Sequence, residues 1–357
     1  MTKYQAATLE AVGSRILIGA GVPADEARIV AQSLVQSNLL GHDSHGVIRI
    51  PQYVNNVRDG LVQTGSMRTV QEAPAMAVLD GGWGFGQVVA RHAAELAIAK
   101  ARQHTVAVVT AYHCNHVGRL GEYVEIAAEA GMLALASVNN HGQGRLLAPF
   151  GAKAGRLSPN PIAFGAPRPG EVPFVMDLTP SVVPEGKVRV KRNRGEPLPP
   201  GWVQDAAGRP TTDANALYEG GSLLPLGGPV GHKGFALALM VEVLSGALGG
   251  AGVSRPNPER AGNGLFYAAI NPDSFLPRQQ FLSEMTVLAD HVKSSPTQPG
   301  VDEVLLPGEP EYRTRVTRLR DGIDVDDETV RQIVEVGRAV GVDVDDLLSA
   351  EQRRFSK

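Results

Sequence analysis

AMAVLDGGWGFGQVVARHAAELAIAKARQHTVAVVTA, residues 75–111, decides the fold. AMAVLD (75–80) has the apolar content and length of a strand, GGWGFGQ (81–87) is a glycine-rich turn, and VVARHAAELAIAKARQ (88–103) is a strongly amphipathic helix. TVAVVTA (105–111) is a second strand, a helix follows to about Ala130, and MLALASV (132–138) is a third strand. The alternation predicts an α/β layer. A strand, a glycine turn and a helix invite a dinucleotide-binding reading, which requires G-x-G-x-x-G and an acid at the end of the second strand. Here Gly82, Gly84 and Gly86 are spaced G-x-G-x-G and the second strand ends Thr110-Ala111-Tyr112. A standard Rossmann site is therefore disfavoured. The turn is read instead as a tight bend whose aromatic pair, Trp83 and Phe85, covers a core.

Upstream, Pro23 to Leu40 carries apolar residues at helical spacing (Ile29, Val30, Leu34, Val35, Leu39), with Pro23 suited to a first turn and Gly41 to the position after the end. Downstream, residues 139–230 are rich in Gly and Pro, with PFVMDL (173–178) as a strand between long loops. GHKGFALALMVEVLSGALG (231–249) predicts a long helix, and residues 326–350 a charged helical tail. The expected organisation is a helical region at 1–72, an α/β and loop-rich region at 73–230, a helix with closing strands at 231–325, and a helical tail at 326–357.

The chain has 357 residues, 43% apolar and 20% charged, with a formal net charge of -3. That balance predicts a large core and argues against a nucleic-acid partner. One cysteine, Cys114, excludes an intrachain disulfide and suits a reducing compartment. No stretch reaches the roughly 18 uncharged apolar residues of a membrane span, and the first residues lack a signal-peptide core. The expectation is a cytoplasmic location with no membrane partner.

Three segments carry chemistry. In GHDSHGVIRIP (41–51), Ser44 and His45 precede Arg49 by one turn. Imidazole donates or accepts a proton near neutral pH, and a guanidinium captures a carboxylate bidentately. His45 alone also reads as a helix-end residue. In YHCNHVGRLG (112–121), His113 and His116 follow a strand end, where α/β enzymes place working loops; a surface loop is the plainer reading. Cys114 between them reads as a small buried filler. In GHKGFAL (231–237), Lys233 at a helix start suits an anion such as a diphosphate, or is simply solvated. The pairs His42/His45 and His113/His116 share H-x-x-H spacing, but neither lies in a helical run and no carboxylate completes a set, so no metal is expected.

Together these segments resemble the malate/L-lactate dehydrogenase family of the second type, and most of all its hydroxycarboxylate dehydrogenase B branch. The similarity rests on GHDSHG (41–46), SHGVIRIPQY (44–53), FGQV (85–88), NHVGRLGEY (115–123), NPIAFGAP (160–167), MDLTPSVVPEGK (176–187), LPPGWVQDAAGRPTTD (198–213), GGSLLPLGG (220–228), HKGFALALMVEVLSGALGG (232–250) and LLPGE (305–309). It implies an α/β fold with a non-Rossmann cofactor lobe on a mixed sheet, an N-terminal helical region and C-terminal helices. It implies a homodimer, NAD or NADP as cofactor, and hydride transfer between the cofactor and a small 2-oxo acid to give a 2-hydroxy acid. It implies His45 or His116 as the acid/base, oriented by Ser44, with Arg49, Arg119 and Asn160 toward the substrate. The cofactor-contacting positions it implies are Asn140, Asp177, Leu178, Thr179, His232, Lys233, Gly234, Pro307, Gly308 and Glu309.

The chain departs from the family at Ser158-Pro159-Asn160-Pro161 (usually G-T-N-P), at Thr179-Pro180-Ser181 (usually A-T-S) and at Pro184-Glu185 before Gly186. Lys187 stands where related cyclic-imine reductases tend to carry an acid, which favours a ketone substrate. The rival readings are such an imine reductase, a metal-dependent hydrolase or lyase, and a binding protein without turnover.

Overall fold

The computed structural model describes residues 2–142, 145–170 and 172–348. Its centre is a seven-stranded mixed sheet built from β1 (Arg68–Ala73), β2 (Met76–Gly84), β3 (Val106–Cys114), β4 (Leu133–Asn140), β5 (Ile162–Ala166), β6 (Phe174–Leu178) and β7 (Asn263–Ile270). The spatial order is β1-β2-β3-β7-β4-β5-β6. Only β2 and β3 run parallel; every other neighbouring pair is antiparallel. The inserted antiparallel β7 breaks the parallel sheet that a doubly wound fold needs. No helix among the described residues is long and apolar enough to cross a membrane.

The crossover from β2 to β3 is α4 (Gly86–His104). It buries Ala90, Ala93, Ala94, Ala97, Ile98 and Ala101, an alanine stripe at helical spacing that lets the helix axis approach β3 and β7 closely. The glycine-rich segment departs from its sequence reading. The strand continues through it to Gly84, with a register irregularity between Asp80 and Gly84 and positive φ at Gly82 (55°) and Trp83 (60°). This kink sends the two aromatics apart. Phe85 is buried among the N-terminal helices, whereas Trp83 faces the other way, stacked on His113 and covered by the Arg260 guanidinium 3.9 Å from its ring centre. Only Phe85 covers a core.

The N-terminal region supplies α1 (Ala6–Gly19), α2 (Ala24–Leu39) and α3 (Ile50–Arg58). Pro23 caps α2 rather than entering its first turn, and Gly41 takes φ 83° just beyond its end. These helices share a core with α10 (Asp327–Ala339) and with the ribbon of Thr2–Tyr4 and Ile323–Val325. The loop-rich part has its own cluster around Leu147, Val183, Val188, Val203 and Leu223, carrying α6 (Glu185–Asn193). Helix α5 (Gly121–Glu129) packs on β5 and β6. The helix expected at 231–249 is α7 (His232–Val241) continued by a π-helical stretch, Glu242–Leu248. Two helices absent from the sequence reading, α8 (Arg278–Lys293) and α9 (Glu309–Asp321), follow. The charged tail is described to residue 348; its last expected residues lie outside the described ones.

Candidate active site

The SHG segment leaves α2 as two 3-10 turns, Asp43–His45 and Val47–Arg49. Its backbone is held from below by Asn38, which accepts from the Val47 N–H at 2.8 Å and donates to Asp43 at 2.7 Å. From the side, the Arg318 guanidinium of α9 grips both oxygens of Asp43 and the Asn38 carbonyl. A Cβ at Gly46 would run into the Asn38 carboxamide, so glycine is required there for space, not for φ.

The segment brings His45 against His116, their rings stacked 5.5 Å apart at 25°. Ser44 Oγ lies 3.1 Å from His45 Nδ1. On the other side of His116, Tyr53 places its hydroxyl 2.8 Å from Nδ1, and the buried Gln87 amide donates to that hydroxyl at 2.7 Å. With the Gln87 N–H pointing at the phenol oxygen, the Tyr53 O–H donates to Nδ1. A neutral His116 then carries its proton on Nε2. Gly118 makes room for this, since a Cβ there would sit 3.3 Å from the Gln87 amide nitrogen.

Burial holds both imidazoles neutral, His116 down to about 3 and His45 down to about 4, and the nearby Arg49 charge adds to each. Burial pushes the Tyr53 phenol up to about 12. Arg49 donates from Nε to the Ser44 carbonyl at 2.7 Å and from one Nη to Gln52 at 2.8 Å. It has no ion-pair partner among the described residues, so its remaining N–H groups are available to an anion. Gly186 at the start of α6 is within about a van der Waals contact of Ser44, a Cβ there lying 3.9 Å from the Ser44 Cβ. The Lys187 charge is felt at His42.

The other substrate candidates of the sequence are engaged by protein groups, although the Arg119 charge is felt at His45 and His42. Arg119 is 3% exposed and clamps Glu125 with two hydrogen bonds, at 2.9 and 2.6 Å, beneath the start of α5. Asn160 is buried, donating to Glu242 at 2.8 Å and accepting from the Asn140 N–H at 3.0 Å. Asp177 accepts from the Gly121 N–H at 2.7 Å. Glu309 is bound by Arg168 at 3.0 Å, Lys293 at 2.7 Å and the Leu306 N–H at 3.0 Å. Burial alone would raise its carboxyl, but these three donors outweigh it and hold the group down at about 2. Pro307 accepts from the Val175 N–H, and Gly308 takes φ 96° at the entry to α9.

The remaining cofactor candidates converge. The segment after Leu178 pairs with the run before α7: Leu226 N–H donates to Pro180 at 2.8 Å, and Gly234 N–H donates to Leu226 at 3.2 Å. Thr179, whose Oγ is 2.9 Å from Ser181 Oγ, thereby stands near His232, Lys233 and Gly234. Lys233 is exposed, without an ion-pair partner among the described residues, at a helix start that has no side-chain cap.

The H-x-x-H pairs do not converge on one point. His113 turns to Asp80 at 3.0 Å and stacks on Trp83, while His116 turns to Tyr53. Among the described residues no group of three or more His, Cys, Asp or Glu is arranged to hold a metal. Cys114 is fully buried, its thiol pushed up to about 12 by that burial. Tyr53 and Gln87 were missed from the sequence. Tyr53 had a signal, since it follows Arg49 by four residues and so shares its helix face; Gln87 lay inside the matched run FGQV (85–88), but nothing in its spacing pointed to the site.

Residues 4–334 match the model of the malate/L-lactate dehydrogenase family. The chain is 38% identical over 337 residues to a malate dehydrogenase of Pyrococcus abyssi, covering 92% of each chain. It is 36% identical over 348 residues to hydroxycarboxylate dehydrogenase B of Escherichia coli, covering 95% of each. A solved E. coli structure described as a malate/lactate dehydrogenase superposes with a TM-score of 0.90 at 34% identity, over 100% of both chains.

Proposed function

The chain belongs to the malate/L-lactate dehydrogenase family and so to the oxidoreductases that interconvert 2-oxo and 2-hydroxy acids; from that premise we propose that it works with a nicotinamide cofactor and that His116 exchanges the substrate proton. The observation that carries the assignment is the Gln87–Tyr53–His116 relay beside the Arg49 guanidinium, which has no ion-pair partner among the described residues. Arg49 holds the substrate carboxylate with the N–H groups it has left, which fixes C2 next to the two imidazoles. His116 takes the hydroxyl proton in oxidation and returns it in reduction. His45, stacked on it and tied to Ser44, shapes that surface and excludes water.

The bound nicotinamide supplies or accepts the hydride. The residues fit such a group at α7, where a helix start without a side-chain cap and Lys233, exposed and without an ion-pair partner among the described residues, suit a diphosphate. Thr179 and His232 line the same region. Asp177 and Glu309 act differently in this reading, since their carboxylates are already satisfied by protein and they fix the backbone around the pocket. The cofactor is NAD or NADP. The reading extends to a homodimer, supported by α8, which buries none of its residues and leaves Val287 and Leu288 exposed.

The test is loss of reduced-nicotinamide absorbance with NADH and NADPH separately. The substrates are pyruvate, oxaloacetate, 2-oxoglutarate, phenylpyruvate and piperideine-2-carboxylate, each with and without chelator. Turnover of an open-chain 2-oxo acid, indifferent to chelator, is expected. Turnover of the cyclic imine alone would move the chain to imine reduction, and no turnover with either cofactor would overturn the reading.

Two further outcomes follow. Because kcat/KM reports free-enzyme groups, and the base must be unprotonated, kcat/KM for 2-hydroxy acid oxidation is expected to stay level from about pH 8 down to about pH 5 and to fall below about 4. The reverse reaction needs the protonated ring, so its kcat/KM falls about tenfold for each unit that pH rises from about 5 to about 8. A normal histidine limb near pH 6.5 in both directions would refute the assignment. Separately, Gly46→Ala forces the SHG turns off Asn38, and a displacement of that kind costs on the order of 100-fold in turnover. Unchanged circular dichroism with near-normal activity would show that the segment does not position the site.

A further inference from the structure

The relay behind His116 contains a mismatch. The Gln87 carboxamide is 1% exposed, and its Oε1 has no hydrogen-bond partner among the described residues, while its Nε2 donates to Tyr53. A buried acceptor left empty is uncommon and asks for a reason. In this orientation the Tyr53 proton is committed to His116 Nδ1, so the neutral ring holds its own proton on Nε2. That tautomer has no lone pair facing the substrate and accepts no proton there. If it gave up the Nε2 proton, Nδ1 would draw the proton from Tyr53 and leave a buried phenolate.

A half-turn of the carboxamide gives His116 its lone pair and keeps Tyr53 protonated, with the amide N–H2 then taking the unpartnered side of Gln87. Oε1 then accepts from the Tyr53 O–H, the phenol oxygen accepts from Nδ1–H, and Nε2 is left with a lone pair. In oxidation, the substrate O–H bond breaks and its proton joins Nε2, giving an imidazolium whose Nδ1–H still rests on Tyr53. In reduction, the imidazolium Nε2–H bond breaks and the proton joins the substrate oxygen. Tyr53 keeps its own proton throughout, so each direction balances with one proton moved.

We infer that Gln87 is the positioning residue that sets the protonation form of His116, the observed amide orientation being the resting one and the turned orientation the working one. This rests on His116 as the proton-exchanging residue. The titratable and charged groups facing His116 are Tyr53 from α3 and His45 and Arg49 from the 3-10 turns; Gln87 reaches it only through Tyr53.

The test compares Gln87→Glu, whose carboxylate is an acceptor without a donor, with Gln87→Met, which has similar length and neither. Gln87→Met should lower kcat by about 10- to 100-fold with KM for the hydroxy acid changed less than about threefold, as expected when a proton-handling group loses its support. Gln87→Glu should stay within a few-fold of wild type and move the acid limb of kcat/KM upward by at least about one pH unit, because an acceptor behind Tyr53 favours the imidazolium. A merely structural Gln87 predicts the reverse order, since a buried charge is harder to accommodate than a methionine. Nitrogen-15 NMR of histidine-labelled protein, with the His116 signals identified by their loss in His116→Asn, gives a readout independent of turnover. The expected result is a protonated Nε2 in free wild type and a protonated Nδ1 in Gln87→Glu. The same tautomer in both, or Gln87→Glu slower than Gln87→Met, would overturn the inference. If wild type lacks turnover, the oxidoreductase reading of this site fails, while the tautomer comparison still decides the relay.

Discussion

Replacing His116 by asparagine is expected to lower kcat for 2-oxo acid reduction by about 1,000-fold, within the range a positioned acid/base supplies, while His45→Asn costs about tenfold. The two rings are in contact and have similar sequence surroundings, so the difference comes from what stands behind each. His116 Nδ1 is held by Tyr53, which is itself held by the buried Gln87 and belongs to the N-terminal core. Nothing about that ring moves without breaking buried hydrogen bonds. Among the described residues, the hydrogen bond of the His45 ring is to the exposed Ser44 hydroxyl, on a turn. A proton donor has to be fixed to be useful, because effective proton transfer needs a heavy-atom separation near 3 Å in the reacting complex. Asparagine at 116 keeps an amide within reach of Tyr53 but exchanges no proton. The check is steady-state kinetics in both directions with circular dichroism as the control for folding. A larger loss at His45 than at His116 would exchange their roles.

How much of this was legible in the sequence depends on the range of the interaction. The β2–α4–β3 unit was readable because its signals are local: an alanine stripe at helical spacing between two apolar runs. The rejection of a Rossmann site was readable for the same reason, although the glycines turned out to continue a strand, with the kink at Gly82 and Trp83. Strand β7 was not readable. Its neighbours in the sheet, β3 and β4, lie more than 120 residues earlier, and a short apolar run such as Asn263–Ile270 gives no periodicity to separate strand from helix. Helix α8 was missed although Phe281, Leu282, Met285, Leu288 and Val292 recur at helical spacing in its sequence; what the sequence did not show is that none of these residues is buried. At the site, SHG, Arg49 and HVGR were visible as residue types with a chemistry. Whether a cation faces solvent or a carboxylate is a tertiary fact. Arg49 and Arg119 look equivalent on the page, yet one is without an ion-pair partner among the described residues and the other is locked to Glu125.

That lock makes a prediction that separates a substrate contact from a structural pair. Arg119→Met leaves Glu125 facing a buried site without its partner, close to Asp177 and Glu122, which already sense the Arg119 charge. Burial has already raised Glu122 to about 7, with the Ser33 hydroxyl and Arg119 pulling it back down. Removing one member of a buried pair costs roughly 3–5 kcal/mol, most of it from the carboxylate left behind. The expected result is therefore a fall in Tm of at least about 5 °C for Arg119→Met, read by thermal denaturation. The double variant Arg119→Met with Glu125→Leu removes the orphaned charge as well and should recover most of that loss, since replacing a whole buried pair with apolar side chains is often neutral. If Arg119 held the substrate carboxylate, the stabilised double variant would still show KM raised by 10-fold or more, the cost of about 1.4 kcal/mol or more of lost binding. A structural Arg119 predicts KM within about threefold of wild type once stability is restored. Recovery of Tm without recovery of KM would return Arg119 to the substrate; recovery of both would leave Arg49 as the carboxylate clamp, with Arg119 holding the Glu125, Asp177 and Gly121 corner on which the His116 loop is built.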